Sequence, residues 1–314
     1  MGLPLPLLLA LYALCYAPFS ALTKVVGQPI AALPASLLGS CLAWGAYLVL
    51  CGDAGRRPRF DAQAIAAGVG GAAILCASTV AYGLGGSLVL PLLLMKGGGL
   101  AVAPLSDAAA GARVSRRSAL VLLAVGAAVL AGAWHRVRVD GTAATLCCAV
   151  VYLCGYGAKL RAVGQRRGDR DFFLAETTAT LAIAMPVSLA ACLLSGTAPL
   201  LPVGVVGELR AAASPDPFIL ALVAGAFSQG VGVFGSMILL QREAPGHRAA
   251  THSALLPLHR ASSLLAGMAA SAFLGLKNGG WAMTGGEILG GAVLVVALAF
   301  GASAPRRPDS SASA

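Results

Sequence analysis

Two basic side chains lie inside apolar runs of this chain: Lys96 in LPLLLMKGGGL and Arg260 in LPLHRASSL. A cation in such a setting either holds an anion or costs free energy. Lys presents a compact point charge, and Arg a planar fork that fits a carboxylate or phosphate. His259 stands beside Arg260, and His252 lies seven residues earlier on nearly the same helix face. Imidazole titrates near neutral pH, so a proton relay is one reading and a hydrogen-bonded structural histidine the other. Gln229 sits midway along another apolar run, suited to touching a solute or to bonding between helices. The pairs Tyr12/Tyr16 and Tyr152/Tyr156 are each spaced i, i+4, so each lines one face of its helix. Asp107, Glu176 and Glu287 fall near the ends of apolar runs, which leaves the two deep cations without an anion at their own depth. The missing anion is then a substrate; pairing with a helix C-terminus, backbone carbonyls or one of those end carboxylates is the structural alternative. Lys159, next to Arg161, reads as a side chain snorkelling to the surface.

The elements that position these residues are set by composition. The chain has 314 residues, 58% hydrophobic and only 11% charged, with a mean hydropathy of +0.83. A soluble domain keeps about a quarter of its residues charged, so most of this chain faces something other than water. At about 20 apolar residues per span, ten spans are predicted: 3–23, 32–52, 62–84, 87–107, 117–135, 141–160, 174–195, 216–240, 250–274 and 284–303. The start, MGLPLPLLLALYALCYAP, lacks the basic segment of a signal peptide and reads as a retained first span. Residues 304–314 are polar and predicted to be disordered. The net charge of +10 lies in short loops without a basic face or binding motif, so no nucleic-acid partner is expected.

Lys and Arg are unevenly shared between alternate loops. Fourteen lie after spans 2, 4, 6 and 8 and in the C-terminal tail, against five on the opposite side. This bias predicts both termini in the cytoplasm of a plasma-membrane protein. Lys96 lies nine residues beyond Ser87, about 13 Å into its helix, and Asp107 a further 16 Å or so along it. Lys96 is therefore close to the midplane, where an insertion cost of about 2.5–3.5 kcal/mol calls for a cavity, a partner or a function. Gly97, Gly98 and Gly99 follow it and either loosen the helix or allow a neighbour to pack closely.

Ten spans split into five and five, and an odd number per half inverts the second half relative to the first. Span 1 carries one tyrosine pair and span 6 the other. Spans 4 and 9 each run Leu-Pro, a basic residue, small residues and Leu, with Lys96 to Leu100 and Arg260 to Leu264 equally spaced. On these residues the chain resembles the drug/metabolite transporter superfamily, in its ten-span form with two EamA-like repeats. The resemblance implies a first repeat over 1–138, a second over 139–303 and a cytoplasmic tail over 304–314. It also implies a central cavity within spans 1–4 and 6–9, spans 5 and 10 at the periphery, and basic residues in spans 4 and 9 facing the solute. His259-Arg260 replaces the Lys-Arg pair that phosphorylated-metabolite carriers place in span 9.

The eight cysteines match no metal-site spacing and read as small buried hydrophobes. GVGVFG at 230–235 mimics a dinucleotide motif but lies inside an apolar run, where small-residue packing explains it. No nucleophile–base set or paired carboxylates appear, and no enzyme activity or cofactor is expected. The expectation is an all-α membrane protein of ten transmembrane helices in two inverted five-helix repeats. Its function would be secondary transport of a small anionic or zwitterionic metabolite by alternating access. Lys96 and Arg260 would hold the anion, with His259, Gln229, Tyr12, Tyr16, Tyr152 and Tyr156 around it, coupled to a proton or an exchanged solute; a homodimer stays open. A non-transporting scaffold or partner subunit on the same fold, or a lipid flippase with a side opening, are the competing readings.

Overall fold

The computed structural model describes residues 4–84, 88–99, 116–133, 142–166, 168–197, 199–200, 216–240, 250–279 and 282–302. These form helices and no strand. In chain order they are α1 (Leu5–Val26), α2 (Pro29–Leu50), α3 (Ala62–Gly83), α4 (Val89–Leu92, running into a π turn at Leu93–Gly97), α5 (Arg116–Ala133), α6 (Thr142–Gln165), α7 (Arg170–Ser195), α8 (Pro217–Leu240), α9 (Ala250–Lys277) and α10 (Gly285–Ala302). Six of them, α1, α2, α3, α6, α7 and α8, are long and apolar enough to cross a membrane; α5 and α10 carry shorter apolar stretches. The distal part of the expected fourth span, with Asp107, lies outside the described residues, as do the 304–314 tail and the side chain of His252.

Local chemistry sets the helix ends. Proline in the first turn starts α1 and α2, where its missing N–H would have had no helical partner. Asp61 caps α3 by accepting from Ala64 N at 2.7 Å, and Asp169 caps α7 by accepting from Phe172 N at 3.0 Å. Gly27 and Gly196 end α1 and α7 in the left-handed conformation. Long apolar side chains such as Leu14, Leu123, Leu193 and Val296 point out of the bundle, an exterior suited to lipid and not to water. The cysteines fit that exterior better than the expected core. Cys192 is buried, whereas Cys51, Cys147 and Cys154 are exposed on the outside of the bundle.

The packing has a plain pattern. The most extensive interhelical contacts are α3 on α6, α1 on α8, α2 on α8, α3 on α7 and α5 on α10. Exchanging the first five helices with the last five maps this set onto itself: α3/α6 becomes α8/α1, α2/α8 becomes α7/α3, and α5/α10 is unchanged. Two triads result, α1–α2–α8 and α6–α7–α3. Small residues let their backbones meet. Gly39 of α2 lies against the Leu222 backbone of α8 and Gly225 of α8 against that of Ser36, with Ser40 Oγ donating to the Gly225 carbonyl at 2.8 Å. In the other triad, a Cβ on Gly70 of α3 would stand 2.5 Å from the Gly155 carbonyl oxygen of α6.

A charged clasp joins the end of α2 to the start of α7. Asp53 is buried and receives Arg170 Nη2 at 2.6 Å and Nε at 3.2 Å, while Arg56 Nε lies 3.1 Å from its other oxygen. Nearby, Arg166 joins Asp61 at 2.6 Å and Gln63 at 2.8 Å. Arg170 is 43% exposed and Asp53 only 1%, so the pair lies between the exposed limit of about 0–1 kcal/mol and the buried limit of about 3–5 kcal/mol for losing one partner. Asp53→Asn is expected to lower stability by about 1–2 kcal/mol and to weaken the response of the melting temperature to salt. Thermal unfolding at low and high ionic strength measures both; an unchanged melting point would show that the clasp contributes nothing.

Candidate functional site

Between the two triads lies a cavity of about 120 Å³, lined from α1, α3, α4, α6, α7, α8 and α9. Among the described residues, α5 and α10 contribute nothing to its wall, as the resemblance implies; α2 contributes nothing either, contrary to it. About 10–15 Å³ of such space admits one water, so the cavity has room for several waters or a small organic solute.

Lys96 reaches this cavity because of the π turn over Leu93–Gly97. A π turn inserts an extra residue into the helix and re-aims the side chains around it. The ammonium donates to Tyr152 Oη at 3.1 Å and lies 3.4 Å from Tyr12 Oη. It stands 4.8 Å from the centre of the Tyr16 ring and 5.4 Å from that of Tyr152. Two aromatic rings and two phenol oxygens thus surround a buried cation, and among the described residues no carboxylate is paired with it. The glycines after it allow close approach: a Cβ on Gly98 would meet Leu153 at 2.8 Å, and one on Gly99 the Arg260 guanidinium at 3.3 Å.

Arg260 is buried, with its guanidinium 4.9 Å from the centre of the Tyr156 ring and its Nη2 without a hydrogen-bond partner among the described residues. It does not line the cavity; Tyr156, against which it lies, does. His259 does line it. Its ring packs on Tyr12 at 4.2 Å between centroids, and neither ring nitrogen has a partner among the described residues. Gly235 on α8 leaves the room this needs, since a Cβ there would come within 3.3 Å of both His259 Nε2 and the Tyr12 ring. Gln229 lines the cavity, and neither its Nε2 nor Tyr156 Oη has a hydrogen-bond partner among the described residues. The GVGVFG run is helical, part of α8. At one end, Tyr16 and Tyr82 share a hydrogen bond between their hydroxyls across the two triads, with the Phe19 ring edge-on to both.

The other end corrects the expectation for Lys159. It does not snorkel: its ammonium lies 2.7 Å from Glu176 Oε1 and donates to Ser236 Oγ at 3.0 Å, with 13% of the side chain exposed and 1% of Glu176. Glu176 is likewise not a surface carboxylate, and all three side chains face the cavity. Lys159 follows Tyr152 and Tyr156 at i+7 and i+3, the same helix face, which is the signal that places it. Tyr82 and Ser236 had no comparable signal. Among the described residues no group of His, Cys, Asp and Glu is arranged to hold a metal ion.

The class defined here is an all-helical integral membrane protein with a polar, aromatic-walled internal cavity. No family model matches the chain, and no curated protein matches it significantly.

Proposed function

We propose that the protein is a ten-span secondary transporter of the drug/metabolite type, built from two inverted five-helix repeats. It would carry a small anionic or zwitterionic organic solute across the plasma membrane, with both termini in the cytoplasm. The observation that carries this is Lys96: a buried ammonium at the wall of an internal cavity, held among the described residues by phenols and rings. In the same wall, the nitrogens of His259, Nε2 of Gln229 and the hydroxyl of Tyr156 offer hydrogen bonds that no described residue uses. Leaving a buried polar group unmade costs about 1–3 kcal/mol, and a bound solute recovers it. A filled core around Lys96 would have favoured a scaffold; a cavity favours transport.

The self-mapping helix contacts support the inverted repeat. They also refine the motion. The repeats interlock, so rocking is better carried by the triads α1–α2–α8 and α3–α6–α7. Bonds between triads at both ends of the cavity, Tyr16 to Tyr82 and Lys159 to Ser236, would open alternately. A thermal-shift screen of the purified protein against small carboxylates and amino acids tests the proposal, since a ligand of the folded state raises its stability. Hits that then drive counterflow in proteoliposomes are expected; a chain that binds none of them and moves none is not this transporter.

A further inference from the structure

The described residues of the cavity wall include three charged side chains, Lys96, Lys159 and Glu176. Lys159 and Glu176 cancel, with Nζ 2.7 Å from Oε1. Lys96 has no such match: its hydrogen bonds go to the phenol oxygens of Tyr12 and Tyr152. The described wall is thus one positive charge in excess, and Arg260, one ring behind it, adds to the same field. One anionic group on a solute answers that excess; an ammonium on the same solute restores it.

A solute ammonium also finds no prepared place among the described residues. A buried ammonium is held by a carboxylate or by the face of an aromatic ring. The carboxylate of Glu176 is already balanced by Lys159, and a second ammonium there would meet a like charge. The rings of both tyrosine pairs already serve the protein's own basic side chains. The Lys96 ammonium stands 4.8 Å from the centre of Tyr16 and 5.4 Å from that of Tyr152. The Arg260 guanidinium is 4.9 Å from the centre of Tyr156, and the His259 ring packs on Tyr12 at 4.2 Å. The two remaining rings of the wall, Phe19 and Tyr82, stand nearly perpendicular to Tyr16 and to each other, edge to face. The wall atoms left over suit oxygen instead. Gln229 Nε2 can only donate, the hydroxyls of Tyr156 and Thr180 can donate or accept, and none of the three has a partner among the described residues. Resting on the transport proposal above, we infer that the solute is a small hydroxy- or oxo-monocarboxylate, and that the charge of the wall excludes amino acids. Lys96 takes the carboxylate, and the unpaired donors serve the hydroxyl or keto oxygen. Selection comes from the unbalanced ammonium that an amino acid would bring, not from its size.

The test uses the full-length protein in nanodiscs of neutral lipid, titrated calorimetrically with lactate, pyruvate and alanine. Lactate and alanine differ at one group of similar size, a hydroxyl against an ammonium, so the pair isolates the charge. Wild type is expected to bind lactate and pyruvate about 10- to 100-fold more tightly than alanine, the range for leaving a buried polar group unpaired. Gln229→Glu adds a carboxylate to the wall with almost no change of shape. It is expected to bind alanine more tightly than wild type does and lactate at least about tenfold more weakly, the lower end of the same range. Should that variant fail to fold, the comparison of lactate with alanine in wild type decides alone. Alanine bound as tightly as lactate by wild type overturns the inference and leaves the site of the transport proposal standing. Alanine affinity unchanged in a folded Gln229→Glu overturns the charge of the wall as the cause of selection. Failure of wild type to bind any of the three probes overturns the small-solute site itself, and the inference with it.

Discussion

Replacing Lys96 by Met is expected to abolish transport of the solute and to weaken its binding by about 10- to 100-fold, while the protein folds as before. A charge-assisted hydrogen bond is worth about 1.5–3 kcal/mol, which is that range of affinity. Among the described residues the ammonium has no carboxylate partner; its hydrogen bonds go to Tyr12 and Tyr152, with the Tyr16 ring beside it. Met has nearly the same length and no charge, so the variant leaves no buried ion unpaired and removes an insertion penalty of about 2.5–3.5 kcal/mol. Its melting temperature should therefore equal or exceed that of wild type. That combination, lost binding with undiminished stability, separates a solute-binding lysine from one needed for the fold. Undiminished transport in the variant would defeat the proposed function.

The second large effect is structural. Gly225→Val is expected to cost about 3 kcal/mol or more, or to prevent folding altogether. A Cβ at Gly225 would overlap the Ser36 carbonyl group, and the contact is backbone on backbone, which no rotamer change relieves. The reciprocal residue, Gly39, meets the Leu222 backbone one turn away on the same crossing, so Gly39→Val should act alike, and the two together should be less than additive. Gly232, on the same helix with open space where a Cβ would stand, is the control: Gly232→Ala should be neutral or slightly stabilising. Melting curves of the purified variants decide this. Wild-type stability in Gly225→Val would mean that α2 and α8 do not cross as described.

Much of the site was legible because a charge in an apolar run is costly wherever it falls. Lys96, His259, Gln229 and the two tyrosine pairs follow from depth and helical spacing alone, and the structure brings them around one cavity. Arg260 was legible as buried but not as lying behind Tyr156, since the sequence does not say which way a guanidinium turns. The Lys159–Glu176 pair was hidden by helix ends. The span holding Glu176 was expected to start at 174, because Arg170 and Asp171 break the apolar run, yet the Asp169 cap starts α7 at Arg170. Glu176 is therefore the seventh helical residue, about 10 Å in, and not the third. The span holding Lys159 was likewise ended at 160 by Arg161, while α6 continues to Gln165. Polar residues that extend a helix beyond its apolar core carry charges inward, and hydropathy counts them as loop.

Each of the five largest helix contacts joins a helix from residues 1–138 to one from residues 139–303. This has a consequence for biogenesis. When the ribosome has released the first five helices, α1, α2 and α3 have met none of their principal partners, and Lys96 lacks Tyr152. The nascent half must wait in the membrane with its Gly39 and Gly70 surfaces uncovered until α6, α7 and α8 arrive. The two halves of the chain are therefore not separate units of folding, and a chain truncated after residue 138 is expected to lack every one of these contacts.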